Sequence, residues 1–452
     1  MNTKDELSEK HINDKKIIQP CKYRWVILAL YGFALASNYN ASISYFTISD
    51  MICEHYNITD SVFLLPSTIS TITCIISYVL GMFLTSRYGL RTTVVIGSGA
   101  NAIGAALIIP ASQSNGFIWF SMCEVFWGFS SGVMYQIVTD ISEVWFPAHQ
   151  HALATNINMI MANIGCGISY LQTMFLFSNT KSMLKADFQN SLNILIYSQC
   201  VPCILAFVLN LFFYRESPKY SPSLSQAQRT GPGQISLQET VGSIKTLVKD
   251  FRFGVFALIL GFNSAFDNIY TVIADILIAP SYSNSEKLVS MTGLLAVVVG
   301  CIGCMLFSLL LDKTKKYKSL IMLLLFVSLV LFTLFLEFLI HIYPVYVVYL
   351  VSTLAWFFFT PSAGVLADII SEITYPVNNS TSFALCCVLG DLLTIAYKQL
   401  FGWLGDKRKT DVMAYLLCGT LGIQVLLLIG VPVVKKRSLC DGNSVVSSLV
   451  EA

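Results

Sequence analysis

The sequence has few charged residues for its length. Only 12% of the 452 residues are charged, whereas 55% are hydrophobic, and the mean hydropathy is +0.67. Such a chain is too apolar for a water-soluble globule and too long for one core, which predicts a multi-pass membrane protein. Blocks of basic residues are also lacking, and the formal net charge is only +2, so a nucleic-acid-binding protein is excluded.

Histidine is scarce, and it lies outside the apolar segments. The five histidines fall in tails or loops at His11, His55, His149, His151 and His341. No imidazole is therefore expected at mid-membrane depth to ligate a metal. No nucleophile, base and orienting group occur together outside the apolar segments, so we expect no enzyme activity and no cofactor.

Cysteine is plentiful, but its distribution does not indicate redox or metal chemistry. Most of the 13 cysteines lie inside apolar runs, including the pairs Cys200-x-x-Cys203 and Cys301-x-x-Cys304. Neither pair has a histidine nearby. We therefore interpret these cysteines as small packing residues and expect no metal site.

Long apolar runs of about 20 residues predict the membrane spans. We number them spans 1 to 12, and they cover about 24–48, 62–85, 92–112, 117–140, 152–177, 192–214, 254–280, 288–311, 319–340, 343–369, 381–404 and 411–434. The longest polar gap is rich in Pro and Gly and reads as a flexible linker. The predicted organisation is a tail (1–23), a six-span half (24–214), the linker (215–252), a second half (253–434) and a tail (435–452).

The distribution of Lys and Arg predicts the orientation. Of the 28 basic residues, 21 lie on the side of the N-terminus, six lie on the other side, and Lys398 lies inside a span. The positive-inside rule then places both termini in the cytosol. Asn57-Ile58-Thr59 would lie outside as a candidate glycosylation acceptor.

Two segments repeat at a fixed offset. Asp140-Ile-Ser-Glu143-Val-Trp-Phe-Pro147 closes span 4, and Asp368-Ile-Ile-Ser-Glu372-Ile-Thr-Tyr-Pro376 closes span 10, 228 residues later at the Asp. The short basic loops after spans 2 and 8 also resemble each other. Two related six-span halves joined by a cytosolic linker resemble the major facilitator superfamily. That family has a signature in the loop between its second and third helices, and here Ser86 stands where the signature usually has Asp. The resemblance implies an all-α membrane fold of twelve helices in two pseudo-symmetric halves.

Polar residues recur at the middle of several spans. They are Asn38, Tyr39 and Asn40 in span 1, Asn163 in span 5, Asp267, Asn268 and Tyr270 in span 7, Trp356 in span 10, and Asp391 in span 11. Polar groups that face lipid are costly, so their common depth predicts a shared cavity. The offset of 228 pairs Tyr39 with Asp267 and Asn163 with Asp391, as expected of a binding site on a pseudo-twofold axis. We predict that this set, apart from Asn40, binds the substrate directly.

Three carboxylates inside spans are candidates for proton or ion coupling. Asp267 and Asp275 lie in span 7 and Glu124 lies in span 4. A carboxylate at mid-bilayer costs roughly 2.5–3.5 kcal/mol, so it is retained for a use or is neutralised locally. About 12 Å of helix separates Asp267 from Asp275, which prevents them from sharing a proton. The alternative is that one carboxylate pairs with a hydroxyl or with Lys398 and fixes packing, although Lys398 could equally extend to the outer headgroups.

Charged residues near the cytosolic ends of the spans are predicted to form a gate. They are Arg87, Arg91, Asp140, Glu143, Asp312, Lys313, Asp368 and Glu372. Salt bridges between the halves would close the cytosolic side in one state and break in the other, and would therefore stabilise one state selectively.

A narrower resemblance comes from the segment before span 11. Ser371-Glu-Ile-Thr-Tyr-Pro376 resembles the E-x-T-Y-P signature of solute carrier family 49, as do Asp250-Phe-Arg-Phe253 and Val144-Trp-Phe146. That family holds the feline leukaemia virus subgroup C receptor-related transporters, associated with haem, choline and ethanolamine. It also holds the disrupted-in-renal-carcinoma relative, associated with vitamin B6 export from lysosomes, which the run Asp275-Ile-Leu-Ile-Ala-Pro280 resembles more closely.

The family resemblance implies a small-molecule site in the predicted cavity. In the receptor-related members a Trp stands at the position of Tyr39 and a Gln at the position of Asp391. Tyr is weaker than Trp in cation–π binding, and the added carboxylate could compensate by pairing with a cation. Haem fits less well, because two carboxylates would repel its propionates and no histidine is available as an axial ligand.

The sequence therefore predicts a multi-pass secondary transporter. Its solute would be a small, polar, cationic organic molecule (choline-, ethanolamine- or pyridoxine-like), moved by alternating access in a monomer within the lipid bilayer. Haem transport, and a receptor or sensor that binds without transport, stay open as alternatives. No acidic dileucine motif is evident, which favours the plasma membrane over an endolysosomal one.

Overall fold

The computed structural model describes residues 21–147, 150–177, 185–218, 242, 245–247, 249–278, 282, 285–314, 316–374 and 379–431. Within them, 12 helices are long and apolar enough to cross a membrane. In chain order, spans 1 to 12 are Arg24–Tyr56, Asp60–Thr85, Arg87–Ser112, Phe117–Gln136, Ile157–Leu176, Asp187–Phe213, Phe251–Ala274, Lys287–Leu311, Tyr317–Ile340, Val345–Thr374, Ser382–Asp406 and Thr410–Gly430. The predicted number of spans and the all-α class are confirmed.

The helices themselves depart from the predicted spans at a few ends. The α-helices are Arg24–Ile43, Ser49–Tyr56, Asp60–Leu107, Phe117–Gln136, Val138–Trp145, His151–Leu176, Lys185–Phe213, Phe251–Ile278, Ser285–Thr314, Tyr317–Ile340, Val345–Thr374, Asn379–Asp406 and Thr410–Gly430, with 3-10 turns at Ser44–Ile48 and Pro110–Ser112. Span 1 runs on through a 3-10 turn to Tyr56, and Asn57 ends it with a φ of 55°, a left-handed conformation that Asn adopts readily. Span 4 stops at Gln136 rather than at 140, because the chain leaves helical geometry at Ile137.

A glycine turn separates spans 2 and 3 on the side that the sequence predicts to be cytosolic, and inner and outer refer below to that predicted orientation. Gly89 has a φ of 87° and a ψ of 175°, a region that only glycine occupies without strain. The Glu216 carboxylate then accepts hydrogen bonds from the backbone N–H groups of Leu90 (2.7 Å) and Arg91 (2.8 Å). An anion at the N-terminus of span 3 complements the helix dipole. This capping ties the basic loop to the end of span 6, within the N-terminal half.

Each half contains an outer and an inner apolar core. In the N-terminal half the outer core includes Tyr45, Phe120 and Trp127, and the inner core includes Tyr31, Met134 and Trp145. In the C-terminal half the outer core includes Phe266, Phe332 and Trp356, and the inner core includes Phe256, Leu324 and Ile369. Val272 of span 7 belongs to the outer core of the N-terminal half. The halves therefore share packed apolar surface on the outer side.

The two halves also meet through a polar seam between spans 2 and 11, which we call the outer seam. The Asp406 carboxylate accepts hydrogen bonds from the backbone N–H (3.1 Å) and the hydroxyl of Ser61. Deeper along the same helices, Gln399 donates to the hydroxyl of Thr68 at 3.4 Å. A Cβ placed on Gly402 would lie 3.4 Å from the Ser61 Cβ, so the two backbones are close. The outer ends of the halves are thus closed against each other.

Spans 5 and 8 form the second contact between the halves. The hydroxyls of Thr173 and Ser290 lie 3.2 Å apart, and Gly293 packs against the ring of Tyr170. Nearer the cytosol, Tyr135 of span 4 and Phe383 of span 11 approach with ring centroids 6.0 Å apart. The linker 215–252 and both tails fall largely outside the described residues, so the predicted domain boundaries stay predictions.

The outer seam yields a test of its opening. We expect the Ser61→Cys/Gly402→Cys double variant to form a disulfide, because a Cβ separation of about 3.5–4.5 Å is typical of that bond. Oxidation should reduce transport at least about tenfold, since the outer side could no longer open, and reduction should restore it. The measurement is solute flux before and after dithiothreitol, with each single variant as the control. Full flux through the oxidised protein would show that the outer seam stays closed throughout transport.

Candidate substrate-binding site

Asp267 lies between the halves with an accessible carboxylate. Its side chain is exposed, although span 7 packs against helices of both halves. Asn268, next to it, is also exposed, and its amide donates to the Ser264 carbonyl at 3.0 Å. A side chain that is accessible to solvent yet enclosed by protein lines an internal cleft. We refer to this space between spans 1, 4, 5, 7 and 11 as the central cleft.

Three tyrosines lie near Asp267. Tyr39 of span 1, Tyr135 of span 4 and Tyr170 of span 5 each interact electrostatically with its carboxylate. The thiol of Cys166 is a fourth neighbour. A carboxylate with phenol hydroxyls nearby offers a cation both a charge partner and neutral hydrogen-bond acceptors.

Asp391 forms a second acidic position on span 11. It lies beside Cys74 and Tyr78 of span 2, and its Oδ2 atom is buried with no hydrogen-bond partner. Tyr135 interacts with both Asp391 and Asp267. The two carboxylates, which come from different helices of the C-terminal half, therefore border the same cleft.

Asn163 points from span 5 towards the other half. Its amide nitrogen is 4.0 Å from the Sγ atom of Cys301 on span 8, at the long limit for a bond to sulfur. Such a weak bond leaves the amide available to a ligand. Asn163 therefore lies at the contact between the halves, and the substrate contacts of Tyr39, Asn163, Asp267, Asn268 and Asp391 stay predictions.

Asn38 belongs to the packing of the N-terminal half instead. Its amide donates to Asn101 Oδ1 at 3.1 Å and to the Trp127 carbonyl at 3.3 Å, and it accepts from the Ser131 hydroxyl at 2.6 Å. Only 1% of Asn38 is exposed. Its predicted substrate contact is therefore wrong for this state. Successive helical residues face different directions, so equal depth does not imply a common face.

Tyr270 and Trp356 also lie away from the cleft. Their rings pack edge to face at 5.2 Å within the outer core of the C-terminal half, against Phe332 and Phe359. Both are buried. The prediction that they contact substrate is therefore wrong in this state. Tyr270 is three residues from Asp267, which turns it about 60° away from the carboxylate on an α-helix.

Glu124 is buried away from the central cleft, at the contact between spans 4, 2 and 11. It is 1% exposed, lies beside Ser70, and interacts electrostatically with Lys398. Its Oε1 atom has no hydrogen-bond partner. Its predicted coupling role stays a prediction. The side chain of Asp275, the remaining coupling candidate, lies outside the described residues.

The predicted cytosolic gate is only partly visible. Arg91 donates to the Leu211 carbonyl at 3.2 Å, and the Arg87 guanidinium lies 5.9 Å from the Tyr88 ring, so both contact their own half. Lys313 is exposed. Asp140, Asp368 and Glu372 each have an interaction partner. The side chains of Glu143 and Asp312 lie outside the described residues.

Several residues of the cleft region were missed in the sequence. They are Cys74 and Tyr78 in span 2, Tyr135 in span 4, Cys166 and Tyr170 in span 5, and Cys387 in span 11. The available signal was helical spacing. Asn163, Cys166 and Tyr170 follow i, i+3, i+7, and Cys387 precedes Asp391 by four residues, so each set occupies one face. Among the described residues, no group of His, Cys, Asp or Glu is arranged to hold a metal ion.

Twelve membrane spans, two halves closed on the outer side, and a polar cleft between them define a membrane transport protein. A sequence profile described as Major Facilitator Superfamily matches residues 28–390. That is more than half of the chain, and the protein belongs to this superfamily.

Curated relatives agree with this assignment. The choline/ethanolamine transporter flvcr2a of Danio rerio is 26% identical over 410 residues, covering 90% of this chain and 84% of its own. The choline/ethanolamine transporter FLVCR1 of Felis catus is 26% identical over 416 residues, covering 89% and 72%. An uncharacterized MFS-type transporter of Caenorhabditis elegans is 24% identical, and the match spans 84% of this chain but only 64% of that protein.

Solved structures with the same fold include sugar transporters. The D-xylose-proton symporter aligns with a TM-score of 0.69 at 17% identity, over 92% of this chain and 99% of that chain. The partially occluded inward-open conformation of the xylose transporter XylE from E. coli aligns at 0.67 and 16% identity, over 91% and 98%. At such identities the likeness shows the fold alone. It confirms the predicted twelve-helix architecture.

The placement of Asn38 predicts a stability effect rather than a binding effect. Asn38→Ala should remove three hydrogen bonds and leave buried partners unsatisfied, at a cost of about 1–3 kcal/mol. Asn163→Ala, with its one weak bond, serves as the matched control and should unfold near the wild-type temperature. Thermal unfolding in detergent measures both. An Asn38→Ala protein of wild-type stability that has lost substrate binding would restore Asn38 to the site.

Proposed function

We propose that the protein is a secondary transporter for a small organic cation, with Asp267 as the charge partner of that cation. The observation that carries the proposal is an accessible carboxylate in the central cleft, with Tyr39, Tyr135 and Tyr170 near enough to interact with it electrostatically. A carboxylate kept at this depth is expensive unless it has a use. Two of the relatives are named choline/ethanolamine transporters, which agrees with a cationic amino alcohol.

The character of the cleft favours an ammonium group that carries N–H donors. A quaternary ammonium cannot donate hydrogen bonds and is best held by Trp faces. The six tryptophans lie elsewhere: Trp127, Trp145 and Trp356 are buried in apolar cores, whereas Trp25, Trp119 and Trp403 are 39–50% exposed near the ends of their spans. Carboxylates and tyrosine hydroxyls suit a primary ammonium, which has three N–H donors.

An anionic solute fits this cleft poorly. Asp267 and Asp391 both border it, and like charges would oppose the carboxylates of haem. A mobile organic cation would instead neutralise them.

Within the superfamily we place the protein as a carrier rather than an enzyme. We also propose that the protein is a monomer in the plasma membrane and that both termini lie in the cytosol. Surface labelling of cells that express the tagged protein measures its presence in the plasma membrane directly.

Removal of the Asp267 charge provides the main test. We expect Asp267→Asn to lower saturable [14C]ethanolamine uptake into proteoliposomes at least about thirtyfold, because breaking a desolvated charge pair costs about 2–5 kcal/mol. Surface expression should stay normal. Asp411→Asn, which alters an exposed carboxylate at the outer end of span 12, is the matched control. Normal uptake by the Asp267→Asn protein would refute the assignment.

A methylation series tests the preference for N–H donors. Ethanolamine, its N-methyl and N,N-dimethyl derivatives, and choline should compete for uptake with progressively weaker affinity. Each lost hydrogen bond to a charged acceptor is worth about 1.5 kcal/mol, which is roughly tenfold in affinity. Inhibition constants measure the series. If choline competes best, the preference is wrong but the cationic site stands; if none competes, the proposed function fails.

A further inference from the structure

Lys398 is a buried cation at the outer seam. Only 4% of it is exposed, and its Nζ atom donates to the Ser67 carbonyl at 3.0 Å and to the Thr71 hydroxyl at 2.7 Å. Both acceptors lie on span 2, whereas Lys398 lies on span 11. The predicted extension to the outer headgroups is therefore wrong, because the ammonium is held inside the protein and joins the two halves.

Carboxylates on both halves balance the Lys398 charge. Glu124 of span 4 and Asp391 of span 11 each interact electrostatically with it. Glu124 is the more enclosed of the two carboxylates, with 1% exposed, and its Oε1 atom has no hydrogen-bond partner. A buried carboxylate with an unfilled acceptor keeps its charge only while a cation is near. In this state Lys398 is the cation that interacts electrostatically with Glu124, and the Ser70 hydroxyl is a further polar neighbour.

Opening of the outer seam would separate these charges. Glu124, Ser67 and Thr71 belong to the N-terminal half, whereas Lys398 and Asp391 belong to the C-terminal half. When spans 2 and 11 separate, Lys398 moves away together with Asp391. The two residues lie on the same face of span 11, about 10.5 Å of helix rise apart. Glu124 then remains inside the other half without its cation. An isolated carboxylate there is neutralised most cheaply by binding a proton.

We infer that Glu124 is a proton-binding site whose proton alternates with Lys398. While the outer seam is closed, the Lys398 ammonium neutralises Glu124. As the seam opens, a proton from the outer solution binds the carboxylate; when the seam closes and the ammonium returns, the proton is released to the opposite, cytosolic side. The inference rests on the alternating access of the proposed function but not on the identity of the solute. It assigns Glu124 and Lys398 to coupling and leaves solute binding to Asp267.

Few other ionisable groups face this pair. Tyr45 of span 1 and Cys123 of span 4 interact with Glu124, and Cys74 of span 2 interacts with Lys398. These phenol and thiol groups are neutral around pH 7. Asp391 is the remaining carboxylate that interacts electrostatically with Lys398, and it moves with Lys398 because both lie on span 11. Glu124 is therefore the carboxylate that loses its cation when the halves part.

Proteoliposome transport separates coupling from solute movement. Uptake of [14C]ethanolamine driven by an imposed pH gradient is compared with counterflow exchange, which needs no net proton movement. We expect the ratio of driven uptake to counterflow to fall at least fivefold in Glu124→Gln and in Lys398→Met. Thr68→Val, which breaks an uncharged bond of the same seam, should keep the wild-type ratio. An unchanged ratio in Glu124→Gln would overturn the inference.

A second measurement needs no solute. A membrane-impermeant thiol reagent applied outside intact cells reaches Cys74 only when the outer seam is open, and mass spectrometry reports its labelling rate. The Glu124→Gln variant, whose amide mimics the protonated carboxyl group, is labelled at the same pH values. Its labelling rate at each pH corrects for the change in thiol reactivity with pH. The ratio of wild-type to Glu124→Gln labelling should rise at least fivefold from pH 7.5 to pH 5.5. Glu124→Asp should keep this dependence, and a ratio that does not change with pH would overturn the inference even if ethanolamine is not the solute.

Discussion

The high cost of charge in hydrocarbon governs this structure. Asp267, Asp391, Glu124 and Lys398 all lie at depths where a lipid-facing charge would be strongly unfavourable. The protein turns each of them inward, either to the cleft between the halves or to the contact between spans 2, 4 and 11. Apolar side chains take the outward positions, as on span 8, where Leu309 is 60% exposed. The arrangement of charge therefore dictates which face each of these helices turns towards the protein interior.

The same constraint divides the acidic residues into two groups with different neighbours. Around Asp267 the neighbours are tyrosine hydroxyls and solvent-accessible space, so the carboxylate is open to a mobile cation. Around Glu124 the neighbour is a tethered cation, Lys398, and the site is closed. Asp391 lies between these groups, within reach of both Tyr135 and Lys398. A cation in the cleft and the Lys398 ammonium thus act on one continuous set of charges, which is a physical route for coupling.

The closure of the outer side has a simple structural basis. Polar contacts between spans 2 and 11 are short and buried, and Val272 of span 7 packs into the outer core of the N-terminal half. On the cytosolic side the ends of the halves carry charged residues, and Arg91 and Glu216 are engaged within their own half. Between spans 2 and 11 the hydrogen bonds and the one ammonium can separate and re-form, which suits a gate that must open and close.

Hydropathy and spacing in the sequence were sufficient for twelve spans, two halves and the acidic character of the site, because a run of about 20 apolar residues has few alternatives to a membrane helix. Depth could also be read from the sequence, and it led to the prediction that Tyr39, Asn163, Asp267 and Asp391 line one cleft. Direction could not, since Asn38 and Tyr270 share that depth but point into the bundle cores. Only the tertiary structure decided that Tyr135 and Tyr170 lie near Asp267 and that Lys398 reaches across to span 2. Those contacts depend on how each helix is rotated about its axis, and packing against several neighbours at once sets that rotation.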